Sequence, residues 1–268
     1  MGTLGATAID KPRSPRQVAE PWTWPAISVV GVIAVWWALS GVVGNAVKLP
    51  SPPAVAQQLA SLTVSGELGG DIATSLGHLV VGYLFGAALG IGVGFVMGVA
   101  SGPRDAFRVT LELLRPIPPL AWIPAGLLVF GIGPQLPTAL IAYATFFPLW
   151  INTMSGVRQL PRSLEDASRT LGASRAMFWR EVVLPAALPS ILVGARVALG
   201  LAWMTIVAAE LVGGTSGLGF LIMKSANYLD STSIIAGMLV IAALSFAMER
   251  GLRLLSRGLI KWTPKPAR

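Results

Sequence analysis

The chain has 268 residues, of which 54% are hydrophobic and only 12% charged, with a formal net charge of +8 at pH 7. Soluble domains carry about 25% charged residues, so an exterior solvated by water alone is excluded and lipid must cover much of the surface. There is no cysteine, which excludes disulfides, thiol catalysis and cysteine-ligated metals.

Residues 1–20 are polar, with Lys11, Arg13 and Arg16 ahead of an apolar run. A signal peptide begins in the same way. The run at 25–43 is nevertheless long and Trp-rich, with no convincing cleavage site. It is read as a first membrane span, with Trp22 and Trp24 at the interface. Five more apolar stretches follow at 76–100, 117–132, 136–156, 189–212 and 233–249. Each approaches the ~20 residues that a hydrocarbon core of roughly 30 Å requires.

Between the first two spans lies Leu49-Pro50-Ser51-Pro52-Pro53, then a short amphipathic helix is predicted over Ala54 to Leu62. The second span carries Gly82, Gly86, Gly90, Gly94 and Gly98 at a spacing of four. That spacing makes a groove for close approach of another backbone, read as tight packing within the chain. His78, the one histidine, cannot build a metal site and is read as a hydrogen-bonded interfacial residue. In the third span Pro116, Pro118 and Pro119 fall too close together for a regular helix, which suggests either a rigid structural kink or a broken entry beside the pathway. Trp122, Thr145, Asn152, Trp203, Met204, Thr205 and Glu210 are candidates to line a translocation pathway. Glu210 has a second reading, as an interfacial carboxylate hydrogen-bonded to the glycine loop that follows it. Arg196, early in the fifth span, is read as snorkelling or pairing at the cytoplasmic side.

Sorting the 20 Lys and Arg residues by the segments between six spans puts 18 on the side of the two termini, against Lys48 and Lys224 on the other. This asymmetry predicts six spans with both termini cytoplasmic. It also explains the basic charge without nucleic acid.

The polar interval 157–188 has a clear local grammar. Ser163 suits a helix N-cap with Asp166 three residues on, Gly172 suits a C′ position, and Ser174 suits the cap of a second short helix that stops near Pro185. Two short helices at a sharp turn are predicted. Leu171, Met177, Phe178 and Trp179 are apolar anchors and arginines form a basic rim, a knob for another protein's groove.

In register, Asp166-Ala167-Ser168, then Gly172, then Val182-Val183-Leu184-Pro185 resemble the signature cytoplasmic loop of binding-protein-dependent ABC importer permeases. Its pattern is E-A-A, three residues, G, nine residues, I-x-L-P. The departures keep charge or size class. Leu49-Pro50-Ser51-Pro52, Arg115-Pro116-Ile117-Pro118-Pro119-Leu120-Ala121-Trp122-Ile123-Pro124, Phe130-Gly131-Ile132-Gly133 and Ala208-Ala209-Glu210-Leu211 with Gly217-Leu218-Gly219 are similar to the taurine, aliphatic sulfonate, nitrate and bicarbonate permease group. The resemblance implies an all-α integral membrane protein of the type I ABC importer permease fold. Its parts are a cytoplasmic segment at 1–24, a six-helix transmembrane domain at 25–250 and a basic cytoplasmic tail at 251–268. It implies that Asp166, Ala167, Ser168, Arg169, Leu171, Gly172, Ala173, Ser174, Leu184 and Pro185 couple to an ATPase. It implies two ATPase subunits, an extracytoplasmic solute-binding protein and a second permease copy, for which an unduplicated chain suits a homodimer in a bacterial inner membrane.

No G-x-x-x-x-G-K-[ST] loop is present, so nucleotide binding in that way is absent from this chain; ATP and Mg belong to the partner, and no cofactor is expected here. No nucleophile triad or metal cluster is legible, so the chain is not read as an enzyme. An ion-coupled secondary transporter is the main alternative, but the internal repeats common in that class and a buried acidic pair are not evident. The resemblance favours a small oxyanion, particularly a sulfonate such as taurine. Nitrate, bicarbonate and aromatic carboxylates stay open, and no inward anion-binding cluster is legible.

Overall fold

The structure, a computed structural model, describes residues 23–259. The readings on Lys11, Arg13, Arg16 and Trp22, and on the last nine residues of the tail, lie outside the described residues. The chain divides into two compact units, one up to Pro52 and one from Pro53 onward.

In the first unit, α1 (Thr23–Val43) is apolar and exposed along nearly its whole length, as a lipid-facing helix is. Two of its side chains bond backbone carbonyls: Trp36 Nε1 donates to Pro50 O at 3.1 Å and Ser40 Oγ to Trp37 O at 2.8 Å.

The second unit begins with α2 (Pro52–Val64), the short helix expected there, which buries Val55 and Leu62 on one face. Gln58 Nε2 donates to Ser233 Oγ at 2.9 Å, tying α2 to α11 (Ser231–Leu259). The core is built on α3 (Glu67–Val99), α6 (Gln135–Arg158) and α9 (Leu184–Gly213). The glycine stripe faces α6. A Cβ on Gly82 would lie 2.6 Å from Thr138 O, on Gly90 2.6 Å from Phe146 O and on Gly94 2.6 Å from Trp150 O; on Gly86 it would run into the Ala142 backbone. Five glycines along about 24 Å of helix thus let two backbones touch. On its far side α6 meets α9 in the same manner. Gly156 lies against Ser190 and Ala187, and Gly194 against Pro148 O and Asn152.

The third apolar stretch departs from a plain span. The chain runs as α4 (Ser101–Leu114), a 3-10 turn at Pro119–Trp122 and α5 (Ile123–Phe130). Eight residues of α5 reach about 12 Å against roughly 30 Å of hydrocarbon, so α5 does not cross alone. Prolines at 116, 118 and 119 supply no N–H for the ladder, and α4 and the 119–130 segment meet at 85°. The stretch around Arg104 and Arg108, between the second and third apolar stretches, is helical in α4, with Arg108 Nε donating to Glu112 Oε1 at 2.8 Å. Five helices among the described residues are long and apolar enough to cross a membrane, or six if this bent pair counts as one.

After α6 come α7 (Arg162–Thr170) and α8 (Arg175–Met177), and α8 runs through a π turn at Phe178–Val183 into α9. The second short helix therefore does not stop near Pro185. The Leu184 N–H donates to Trp179 O, five residues back, and this wider turn accommodates a proline that an α ladder would reject. Finally α10 (Leu218–Asn227) fills the expected short apolar segment before α11.

Gly90→Val is expected to lower the unfolding temperature of the purified full chain, through an overpacking cost of about 1–3 kcal/mol or more. Gly92→Ala, whose added Cβ meets nothing within 4 Å, is expected to change stability by less than about 0.5 kcal/mol. Scanning fluorimetry of both variants in one detergent checks the contrast.

Candidate functional site

The 157–188 loop is shaped by three local backbone decisions. Leu164 N donates to Pro161 O at 3.0 Å, so Pro161 immediately precedes α7 and Ser163 sits inside the helix rather than capping it. At the other end Ala173 N donates to Ser168 O and Leu171 N to Ala167 O, both at 3.0 Å. The first of these is the six-to-one bond of a Schellman closure, with Gly172 at C′ and φ at 72°, a conformation that disfavours a Cβ. Ser174 Oγ then accepts from Met177 N at 3.2 Å and caps α8.

This turn points outward. Leu171 is 86% exposed, and Asp166, Ala167, Gly172 and Ser174 are exposed with it. Ser168 is buried, Ala173 and Pro185 are half-buried, and Leu184 is exposed further along. Arg169 contributes its backbone to α7. Phe178 and Trp179 are not outward anchors. Trp179 packs edge-on against Phe95 of α3 at 5.5 Å and against Phe178 at 5.3 Å, and Val183 is buried with Val157, Ala187 and Ile191. The period of the α8–π segment turns these three residues inward and leaves Met177, 48% exposed, and Leu171 as exposed apolar side chains of the loop. The loop is thus exposed at its turn and locked at its base into α3 and α6.

At the opposite end of α9, Glu210 is 1% exposed and fully partnered. Ser75 Oγ of α3 donates to the carboxylate from 2.8 Å, Gly219 N donates to Oε2 at 3.0 Å, and His78 Nδ1 lies 3.1 Å from Oε1. Ser75 Oγ also accepts from Leu218 N at 2.9 Å, and Gly217 N donates to Asp71 Oδ1 at 2.9 Å. A Cβ on Gly217 would sit 2.6 Å from the Glu210 carboxyl carbon. The network pins the start of α10 to α3 and α9. Nearer the surface Lys224 Nζ donates to Glu67 Oε1 at 2.7 Å, and that carboxylate pushes the ammonium pKa up. Among these groups Ser75 and Asp71 escaped the sequence reading, because their partners lie more than 130 residues away.

A cavity of about 430 Å³ opens between the Pro-rich turn, α6 and α9. Asn152, Met204 and Thr205 line it together with Arg115 and Tyr143. Tyr143 Oη lies 2.7 Å from Leu114 O and 3.2 Å from Ile117 O and donates to these carbonyls where the proline break interrupts the ladder. The other pathway candidates lie elsewhere. Trp122 lines a smaller pocket of about 260 Å³ with Gly126 and Leu140, edge-on to Tyr143 at 5.9 Å. Thr145 is fully buried, and Trp203 packs against Leu79, Ile141 and Ile206. Glu210 belongs to the network above. Arg115 and Tyr143 were absent from the pathway candidates, although the Arg115-Pro116 break in the sequence signals irregular backbone that only protein or a cavity can satisfy.

Comparison with known proteins gives one consistent picture. A family model described as "Binding-protein-dependent transport system inner membrane component" matches residues 86–261. The taurine transport system permease protein TauC of Escherichia coli is 38% identical over 257 residues, 90% of this chain and 93% of its own length. The putative aliphatic sulfonates transport permease protein SsuC of Bacillus subtilis is 36% identical, over 86% of this chain and 84% of its own. The nitrate import permease protein NrtB of Synechocystis is 31% identical, over 84% and 85%. A solved inward-facing structure of the MetNI methionine ABC transporter superposes with a TM-score of 0.64 at 20% identity, covering 74% of this chain and 98% of that one. The fold is that of type I ABC importer permeases.

Glu210→Ala is expected to strand buried donors from α3 and α10 at about 1–3 kcal/mol each and to lower the unfolding temperature measurably. Adding Ser75→Ala should cost less than the sum of the two single changes, because both residues serve one network. Thermal unfolding of the three variants measures that coupling.

Proposed function

The chain belongs to the family of binding-protein-dependent transport system inner membrane components, and from that premise we propose that it is the permease subunit of an ATP-driven importer for a small anionic solute, a sulfonate such as taurine. The named relatives support this: two carry taurine or aliphatic sulfonates in their names and one carries nitrate. ATP and Mg act in a separate ATPase, present in two copies. An extracytoplasmic binding protein delivers the solute, and a second copy of this chain completes a homodimeric pathway. Both termini and the 157–188 loop lie in the cytoplasm, in line with the 18-to-2 division of Lys and Arg.

The observation that carries the mechanism is the Gly172 turn, exposed at its tip and locked at its base. ATP binding draws the two ATPase copies together. Each receives one turn, whose exposed Leu171 and Met177 supply apolar contact. Because Trp179 and Val183 are packed into α3, α6 and α9, displacement of the turn moves those helices as a body instead of bending the loop. The bundle then opens outward to accept solute, and hydrolysis returns it inward.

Gly172→Arg puts a charged Cβ-bearing residue at positive φ, a strain of about 1–2 kcal/mol, on the docking surface itself. In proteoliposomes with the partner ATPase and binding protein, it is expected to abolish ATP-dependent uptake while the chain still inserts. Gly172→Asn, which tolerates the left-handed conformation, is expected to keep most activity. Normal uptake by Gly172→Arg contradicts the mechanism.

A further inference from the structure

We propose that the 430 Å³ cavity between the Pro-rich turn, α6 and α9 is a subsite for the solute's anionic group, with Arg115 as the cation that receives it. The inference rests on the importer reading above and adds the recognition chemistry that the sequence alone left illegible.

Among the fifteen described residues that line the cavity, Arg115 alone is charged. No carboxylate faces it there. The arginines earlier on α4 are paired, Arg104 with Asp105 at 3.2 Å and Arg108 with Glu112 at 2.8 Å. Arg115 makes no ion pair or side-chain hydrogen bond among the described residues. Arg115 is exposed, so its unpaired guanidinium is accessible to an anion that enters the cavity. A guanidinium offers five N–H donors in a planar fork suited to oxyanions.

The neutral wall complements it. Thr205 is 3% exposed, lines the cavity and makes no hydrogen bond among the described residues, so its hydroxyl is free to donate. Asn152 commits one Nδ2 proton to Pro148 O at 2.8 Å and keeps a second N–H. A sulfonate or similar oxyanion can therefore take donors from three elements at once. The volume falls within the roughly 300–1,000 Å³ of small-molecule sites. The site's backbone is also of the right kind, since broken helices at membrane depth are tolerated where they line a cavity. Tyr143 holds this break in place through Leu114 O and Ile117 O, which fixes where Arg115 projects.

The chain has no native cysteine, so Met204→Cys, in the cavity wall, gives a single reporter thiol. In the full complex with its ATPase, its reaction rate is measured with 2-sulfonatoethyl methanethiosulfonate and with the trimethylammonium analogue. The ratio of the anionic to the cationic rate is expected to fall about tenfold when Arg115→Gln is added, a loss of close-range charge attraction, and to be kept by Arg115→Lys. An unchanged ratio in Arg115→Gln, or a thiol that neither reagent reaches, overturns the subsite. The importer reading fails separately, if the unsubstituted complex shows no ATP-dependent uptake of taurine or nitrate.

Discussion

Backbone contact between α3 and α6 is the constraint on which the rest of this structure depends. In a membrane no hydrophobic effect drives helix against helix, so close van der Waals packing must supply the cohesion. The stripe from Gly82 to Gly98 meets Thr138, Ala142, Phe146, Trp150 and Val157 of α6. With that pair fixed, α6 can serve as the central post, and α9 seats on it at Gly156 and Gly194. Each functional feature is then a consequence of where these three helices end or are interrupted.

The two ends of α9 are held in different ways. At the loop end, aromatic and aliphatic packing through Phe95, Trp179 and Val183 fixes the base of the Gly172 turn. At the far end, a buried carboxylate gathers donors from α3 and from the first turn of α10. A helix clamped at both ends transmits rotation along its length rather than losing it in local bending. Between the clamps, its face at Val197, Leu201, Met204 and Thr205 borders the cavity that Arg115 enters. On the proposed importer reading, force at one end and solute in the middle are coupled through this one helix.

Much of this was legible in the sequence where the governing interactions are local. The four-residue glycine period announced a close helix contact, and Gly172 and Ser174 announced a turn and a cap, because both effects act within one or two helical turns. The loop's register against the importer signature followed from the same short-range spacing. What stayed hidden was set by distant partners. The 85° bend before the 119–130 segment was signalled by three prolines, but its direction depends on Tyr143, on another helix. Phe178 and Trp179 looked like docking residues until the π turn showed which face they occupy. The partners of Glu210 on α3 lie 132 and 135 residues away in the chain, beyond any periodicity. Arg115 looked like one more cytoplasmic arginine, since only the folded cavity reveals that it lacks a counterion.

The central claim is that the outward turn at Gly172 is where a nucleotide-driven partner grips this chain. The absence of native cysteine allows it to be measured directly with Leu171→Cys, a position 86% exposed, in cells that also make the ATPase. The expected result is a cross-link from residue 171 to the ATPase whose yield changes with bound nucleotide, and labelling by an impermeant thiol reagent in inverted vesicles but not in intact cells. Labelling from outside intact cells, with no cross-link to the ATPase, would contradict it.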